Sequence, residues 1–216
     1  HPCDHLPKPA GVGCEMFHRD GPAALQGGLV MRGTIFADGH ASRTGVDGMN
    51  RASWAVIELD PQGDLVSCFR GVVPADYPQT SQAAEYLAAA YAAQVAAPGA
   101  VLYDDCANVV RDFGRDRTQW IDETKAYAGV LNHVTCIDPN SNLASVLKVK
   151  GHDDYSDESR PREERMLAFG NHLADKHADE AAKMHPSDPE AQAGADALVA
   201  RAREVVLVIG AVLPLW

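Results

Sequence analysis

Between Leu29 and Val72 the sequence carries three short apolar runs separated by turn chemistry, and at Thr80 it changes abruptly to an alanine-rich helical stretch. The first run, Leu29–Phe36, ends in Asp38-Gly39. The second is Ser53–Leu59, and Pro61-Gln62-Gly63-Asp64 supplies a turn before the third, Leu65–Val72. Three strands joined in this way predict an antiparallel meander. Thr80–Ala97 reads as a helix, with Ser81 as N-cap and Pro98-Gly99 as the stop. Ala100–Tyr103 is a short strand that enters Asp104-Asp105 and a helix at Ala107–Phe113. A further helix falls near Asp122–His133, Ala144–Lys150 reads as a fifth strand, and a long helix follows around Pro161–Met184. The order predicts an α/β fold in which helices pack on a five-stranded sheet. Aromatic residues are only 6% of the chain while alanine is abundant, so small side chains must do much of that packing.

The flanks read differently. Residues 1–28 hold Pro2, Pro7, Pro9 and Pro22 with several glycines and no periodicity, which predicts a linker from an upstream segment. The domain proper spans 29–185, and 186–216 forms a helical extension. Pro186 breaks the long helix, and Asp188-Pro189-Glu190 supplies a fresh start. Ala195, Leu198, Val199, Ala202, Val205, Val206 and Ile209 then recur at helical spacing, as in a helix docking on the domain or on a neighbour. The run Val205–Trp216 is too short to span a bilayer, and no signal peptide is visible. The chain opens on His1-Pro2, as a fragment or processed product would. Cys3, Cys14, Cys68, Cys106 and Cys136 are odd in number and form no CxxC pair, which points to an intracellular, reducing compartment rather than secretion. Cys3-x-His5 and Cys14-x3-His18 offer four zinc-ligand types, but the spacing within each pair fits no common finger.

The formal net charge is −11. Nucleic-acid binders carry Lys and Arg that displace counterions from phosphates, so this balance counts against a free-standing, tight binder. It is compatible with a nuclease whose site is partly neutralised by metal ions and whose affinity comes from another module.

Four acids fall at element ends or on helix faces where they can converge. Asp38 ends the first strand beside a glycine that lets the backbone turn away. Glu85 shares its helix face with Ala88, Ala89 and Ala92, whose small side chains let the helix lie close to the sheet. Asp105 sits where the fourth strand meets its helix, and Asp175 follows Asn171 by one turn on the long helix. Each acid alone is most simply a solvated surface group; only the joint pattern informs. Buried together unliganded, they would repel one another and destabilise the fold. Two divalent cations relieve that repulsion and clamp the attacking and leaving oxygens of an in-line displacement. Oxygen-only donors suit Mg²⁺ or Mn²⁺.

Five segments in order are similar to the type I ribonuclease H family, including the domains attached to retroelement reverse transcriptases. They are Phe36-Ala37-Asp38-Gly39, Thr80–Ala89 with its polar cap before Glu85-Tyr86-Leu87, and Leu102–Val110 around Asp105. Val149-Lys150-Gly151-His152 and Asn171-His172-Leu173-Ala174-Asp175 complete the set. The resemblance implies a five-stranded mixed sheet, three antiparallel strands then two parallel ones. It further implies metal-dependent hydrolysis of the RNA strand of an RNA–DNA hybrid, with two ions held by Asp38, Glu85, Asp105 and Asp175. His152 takes the role of a mobile histidine that assists proton transfer or product release, since an imidazole can take and give a proton near neutrality. Gly39, Ser81, Gln82, Asn108 and Asn171 fall among the substrate contacts, with His40–Asn50 facing the minor groove where 2′-hydroxyls mark RNA. A neighbouring reverse transcriptase module of a retroelement polyprotein becomes the expected partner. His40 and Cys106 depart from the family pattern, and the loop from His152 to Asn171 is long and carries Asp153, Asp154, Asp157 and Glu158. Three other readings remain: a non-catalytic interaction domain of the same fold, a same-fold nuclease acting on DNA, and a zinc adaptor built on the N-terminal Cys and His residues.

Overall fold

The computed structural model describes residues 13–42, 50–113, 127, 143–185 and 189–213. The strands are β1 (Cys14–His18), β2 (Thr34–Ser42), β3 (Arg51–Leu59), β4 (Leu65–Val72), β5 (Ala100–Asp104) and β6 (Leu143–Lys148). The helices are α1 (Ser81–Val95), α2 (Ala107–Phe113), α3 (Arg162–Ala182) and α4 (Pro189–Val212). All six strands join one sheet in the order β1-β4-β3-β2-β5-β6. The meander β2-β3-β4 is antiparallel, while β5 runs parallel to β2 and β6 parallel to β5.

Alternation in the strands sorts two cores. Ile35 and Ala37 of β2, Trp54 and Val56 of β3, Phe69 of β4 and Leu102 of β5 point to one face, where α1 covers them. Trp54 stacks on Tyr91 of α1 at 4.1 Å, with Phe69 edge-on to both. On the other face Phe36, Ile57, Leu59 and Cys68 pack with Ala174 of α3. Both helices approach closely because their inward residues are small: Ala83, Ala84, Ala88, Ala89 and Ala92 in α1, and Ala168, Gly170, Ala174, Ala178 and Ala181 in α3. A Cβ at Gly170 would lie 2.3 Å from the Phe36 ring, so that glycine is the point of nearest contact.

The sheet has six strands rather than the expected five, because residues 14–18 of the anticipated linker form an edge strand. Its pairing is driven by backbone chemistry. The Val72 N–H donates to the Gly13 carbonyl at 2.7 Å, the Arg19 N–H donates to the Val66 carbonyl at 2.9 Å, and Arg70 pairs with Glu15 at 3.0 Å. Met16 and Phe17 stay exposed, so no apolar alternation announces the strand.

Two further boundaries differ from expectation. The first meander strand begins at Thr34, because the Arg32 and Gly33 N–H groups both donate to the buried Glu58 carboxylate at 2.7 Å. It therefore runs through Asp38-Gly39 to Ser42, and Gly39 pairs with Trp54 instead of turning the chain. The α1 cap is Thr80, whose hydroxyl accepts the Ala83 N–H at 3.2 Å, and Ser81 lies exposed one residue inside the helix.

The helix expected near Asp122–His133 lies outside the described residues apart from Tyr127, as do Cys3, His5, Cys136 and residues 43–49. The C-terminal helix is present as α4. Among its described side chains only Ala195 is buried, while Leu198, Val205, Val206, Leu207, Val208, Ile209 and Val212 are exposed. Among the described residues no helix is long and apolar enough to cross a membrane.

Candidate metal centre

Asp38 lies in the middle of β2, where the alternation that sends Ala37 towards α1 sends Asp38 to the α3 face. The parallel pairing of β2 with β5 sets Ala37 opposite Asp104, which delivers Asp105 beside Asp38 as β5 ends. Glu85 arrives from α1. A Cβ at Gly39 would come within 2.3 Å of the Glu85 backbone nitrogen, so the missing side chain is the seat on which the helix rests against the strand. Carboxylate oxygens of Asp38, Glu85 and Asp105 all lie within 4.8 Å of one another.

Neighbouring groups fix Asp105. Asn171 of α3 donates from Nδ2 to Asp105 Oδ2 at 3.2 Å, and Lys148 donates to the Asp105 carbonyl. Gly151 presses its backbone on the same carboxylate; a Cβ there would fall 2.4 Å from Asp105 Oδ2. Asp175, one turn beyond Asn171, is half-buried and is not one of the three converging groups. It is near enough for its charge to act on Asp38.

Sequence reasoning passed over a fifth acid. Asp104 is fully buried; its Oδ1 accepts the Cys106 N–H at 2.7 Å, which turns the chain into α2. Its signal was the strand period: Leu102 points into the α1 core, so Asp104, two residues on, faces the same side and meets Glu85.

Burial, then the charges of Asp105, Asp175 and Asp104, hold the Asp38 carboxyl well above the usual carboxylate range. Burial also raises Glu85, with Asp104 and Asp38 adding to the effect, and Asp104 is pushed up to about 8. Glu85 Oε2, Asp104 Oδ2 and Asn171 Oδ1 are buried with no hydrogen-bond partner among the described residues. Orphaned oxygens in a repulsive, oxygen-only cluster fit a hard divalent cation. Asp38, Glu85 and Asp105 are the residues that would hold it.

The remaining candidates surround this group. Gln82 donates to the Cys106 thiol at 3.4 Å and accepts from Asn108 at 2.6 Å, forming a polar chain along the α1–α2 edge. Ser81 is exposed, and His152 is exposed with a left-handed φ of 51°.

The Asp104 shift has a measurable sign. A carboxyl raised from 3.8 to about 8 keeps in the native state a proton that the unfolded chain releases. The contribution of Asp104 to metal-free stability therefore falls as pH rises through that window. His177 and His185, both lowered, act in the opposite sense, so the comparison must be between proteins rather than between pH values. In EDTA, Asp104→Asn is expected to melt with the parent at pH 5 and about 5 °C or more above it at pH 8. A variant that melts below the parent at pH 8 would refute the assignment.

No family model matches the sequence, and no curated protein matches it. Solved structures do. The chain aligns with LC9-RNase H1, a type 1 RNase H with the type 2 active-site motif, at a TM-score of 0.51 and 16% identity, covering 73% of this chain and 74% of that one. It also aligns with the foamy viral protease-reverse transcriptase solved in complex with RNA/DNA hybrid, at 0.50 and 14% identity. That match covers 69% of this chain and 20% of the viral protein, so the chain spans about a fifth of its length. The fold is that of a ribonuclease H domain. In this ribonuclease H-like domain the converging acids come from the central strand β2, from the end of β5 beside it and from α1.

Proposed function

We propose that the ribonuclease H-like domain is an endonuclease that hydrolyses the RNA strand of RNA–DNA hybrids, using two Mg²⁺ or Mn²⁺ ions held by Asp38, Glu85, Asp105 and Asp175. The observation that carries this reading is the convergence of three carboxylates within 4.8 Å, with buried oxygens left unpartnered. Bound ions at such a site would activate a water and stabilise the departing oxygen of an in-line displacement. Asn171 and Gly151 keep Asp105 aimed at the centre. His152, exposed beyond Gly151, is free to carry a proton at the leaving oxygen. Gln82 and Asn108 offer amide groups for hydroxyls of the hybrid, beside Ser81 and the Gly39 backbone.

The chain's net charge of −11 leaves it short of cations for phosphates. Affinity is therefore assigned to a partner, and a reverse transcriptase module of a retroelement polyprotein is the partner we propose. The foamy viral protein that shares the fold is itself a protease-reverse transcriptase.

The test is direct. Labelled hybrid, duplex RNA and duplex DNA are incubated with the protein in Mg²⁺, Mn²⁺ or EDTA, at protein concentrations high enough to overcome weak binding. Hybrid should be cut in either metal and not in EDTA. Cleavage of duplex DNA alone would favour a DNA-directed nuclease of this fold, and no cleavage in any metal would leave a non-catalytic domain.

A further inference from the structure

The loop that carries the exposed His152 runs from Gly151 to Pro161, where α3 begins at Arg162, and left untethered it would scatter that side chain over a wide volume. Here it is tied down. On one side of His152, Gly151 is pressed on the Asp105 carboxylate. On the other, Asp153 pairs with Lys150 at 2.9 Å and with Arg160 at 2.6 Å. Arg160 reaches Glu164 on α3 at 3.1 Å and also donates to the Asp154 carbonyl at 3.2 Å. Tyr155 lays its ring against two side chains of α3, edge-on to Phe169 at 5.4 Å and tilted over His172 at 4.9 Å. Between these anchors His152 holds a left-handed φ of 51°, a conformation that a non-glycine residue keeps only when its surroundings impose it.

We infer that Tyr155 and Arg160 are positioning residues: they clamp the 151–160 loop to α3 and so hold His152 in place next to Gly151, whose backbone lies against the Asp105 carboxylate. The inference rests on the proposed nuclease reading for its catalytic consequence and on the loop geometry alone for its structural one. Neither residue touches the converging carboxylates; both act through His152. Holding one reacting group in place multiplies its effective concentration, and a displacement of about 1 Å can cost on the order of 100-fold. The acidic loop is then a brace, with the Asp153 charge spent on Lys150 and Arg160.

The experiment compares Tyr155→Ala, Arg160→Ala, Tyr155→Phe and His152→Ala, together with the Tyr155→Ala/His152→Ala double variant. Cleavage of hybrid in Mn²⁺ gives kcat and KM across pH, and amide hydrogen exchange of residues 150–156 is read without metal. Tyr155→Ala and Arg160→Ala should lower kcat about 10-fold with KM little changed, and should alter the same limb of the pH profile as His152→Ala. Tyr155→Phe, which keeps the ring contacts, should restore the rate. The double variant should be no slower than His152→Ala, because the clamp has nothing left to position. Exchange at 152–156 should rise in both clamp variants. Additive losses in the double variant, or unchanged exchange in Tyr155→Ala, overturn the inference. An inactive parent protein would instead defeat the nuclease reading, with hydrogen exchange still deciding whether the clamp exists.

Discussion

Asp38→Asn is expected to lower cleavage of RNA–DNA hybrid by about 1,000-fold or more while raising the melting temperature of the metal-free protein. The two effects share one cause. Asp38 is 6% exposed and sits among Asp105, Asp175 and Asp104, so its negative charge is opposed by burial and by three neighbours. An amide removes that opposition and also removes a ligand from the centre. Single-turnover cleavage, calorimetric titration with Mn²⁺ and melting in EDTA read the three consequences separately. Retained metal affinity together with retained cleavage would show that Asp38 is not a ligand. A lower melting temperature in EDTA would show that its charge is not a burden to the fold.

Gly39→Ala should be the most damaging conservative substitution in the sheet. The new Cβ would meet backbone, at 2.3 Å from the Glu85 nitrogen and 2.6 Å from the Ala84 carbonyl carbon, and no rotamer can relieve that. α1 must lift away from β2, at a cost of about 1–3 kcal/mol for overpacking, and Glu85 travels with it. Urea denaturation should show the loss, and Mn²⁺ affinity should fall in parallel. Gly27→Ala, at a position with nothing within 4 Å, is the matched control and should change neither. If Gly39→Ala matched that control, the seat assigned to Gly39 would be wrong.

Much of the fold was legible where side chains dictate backbone. The meander could be read because Ile35 and Ala37 alternate with Phe36, and Trp54 and Val56 with Ile57, each set filling its own core. α2 was legible to the residue, since Asp104-Asp105 must end a strand and begin a helix. Strand β1 was not legible, because its residues pair by backbone with the open edge of β4 and bury little. Gly39 was visible as a glycine but read as a turn. Its use depends on α1, which lies 46 positions downstream at Glu85 and enters only through tertiary packing.

The acids were legible as a set but not as a geometry. Sequence treats Asp38, Glu85, Asp105 and Asp175 alike, whereas three converge and Asp175 acts on Asp38 from α3. Asp104 was set aside in favour of Asp105, because adjacent acids look redundant until the period of β5 separates them. Only the pleat tells one from the other.

The sheet also contains a graduated scale. Cys14 pairs with Gly71, Gly71 with Trp54 and Trp54 with Gly39, so these four residues form one rung-by-rung row across β1, β4, β3 and β2. Strands are spaced about 4.8 Å apart, which sets the far end of the row about 14 Å from Gly39. A paramagnetic ion held by Asp38 would sit at the zero mark of that row. Its distance could then be read from backbone amides at four positions separated by three known steps, without reference to any substrate or reaction.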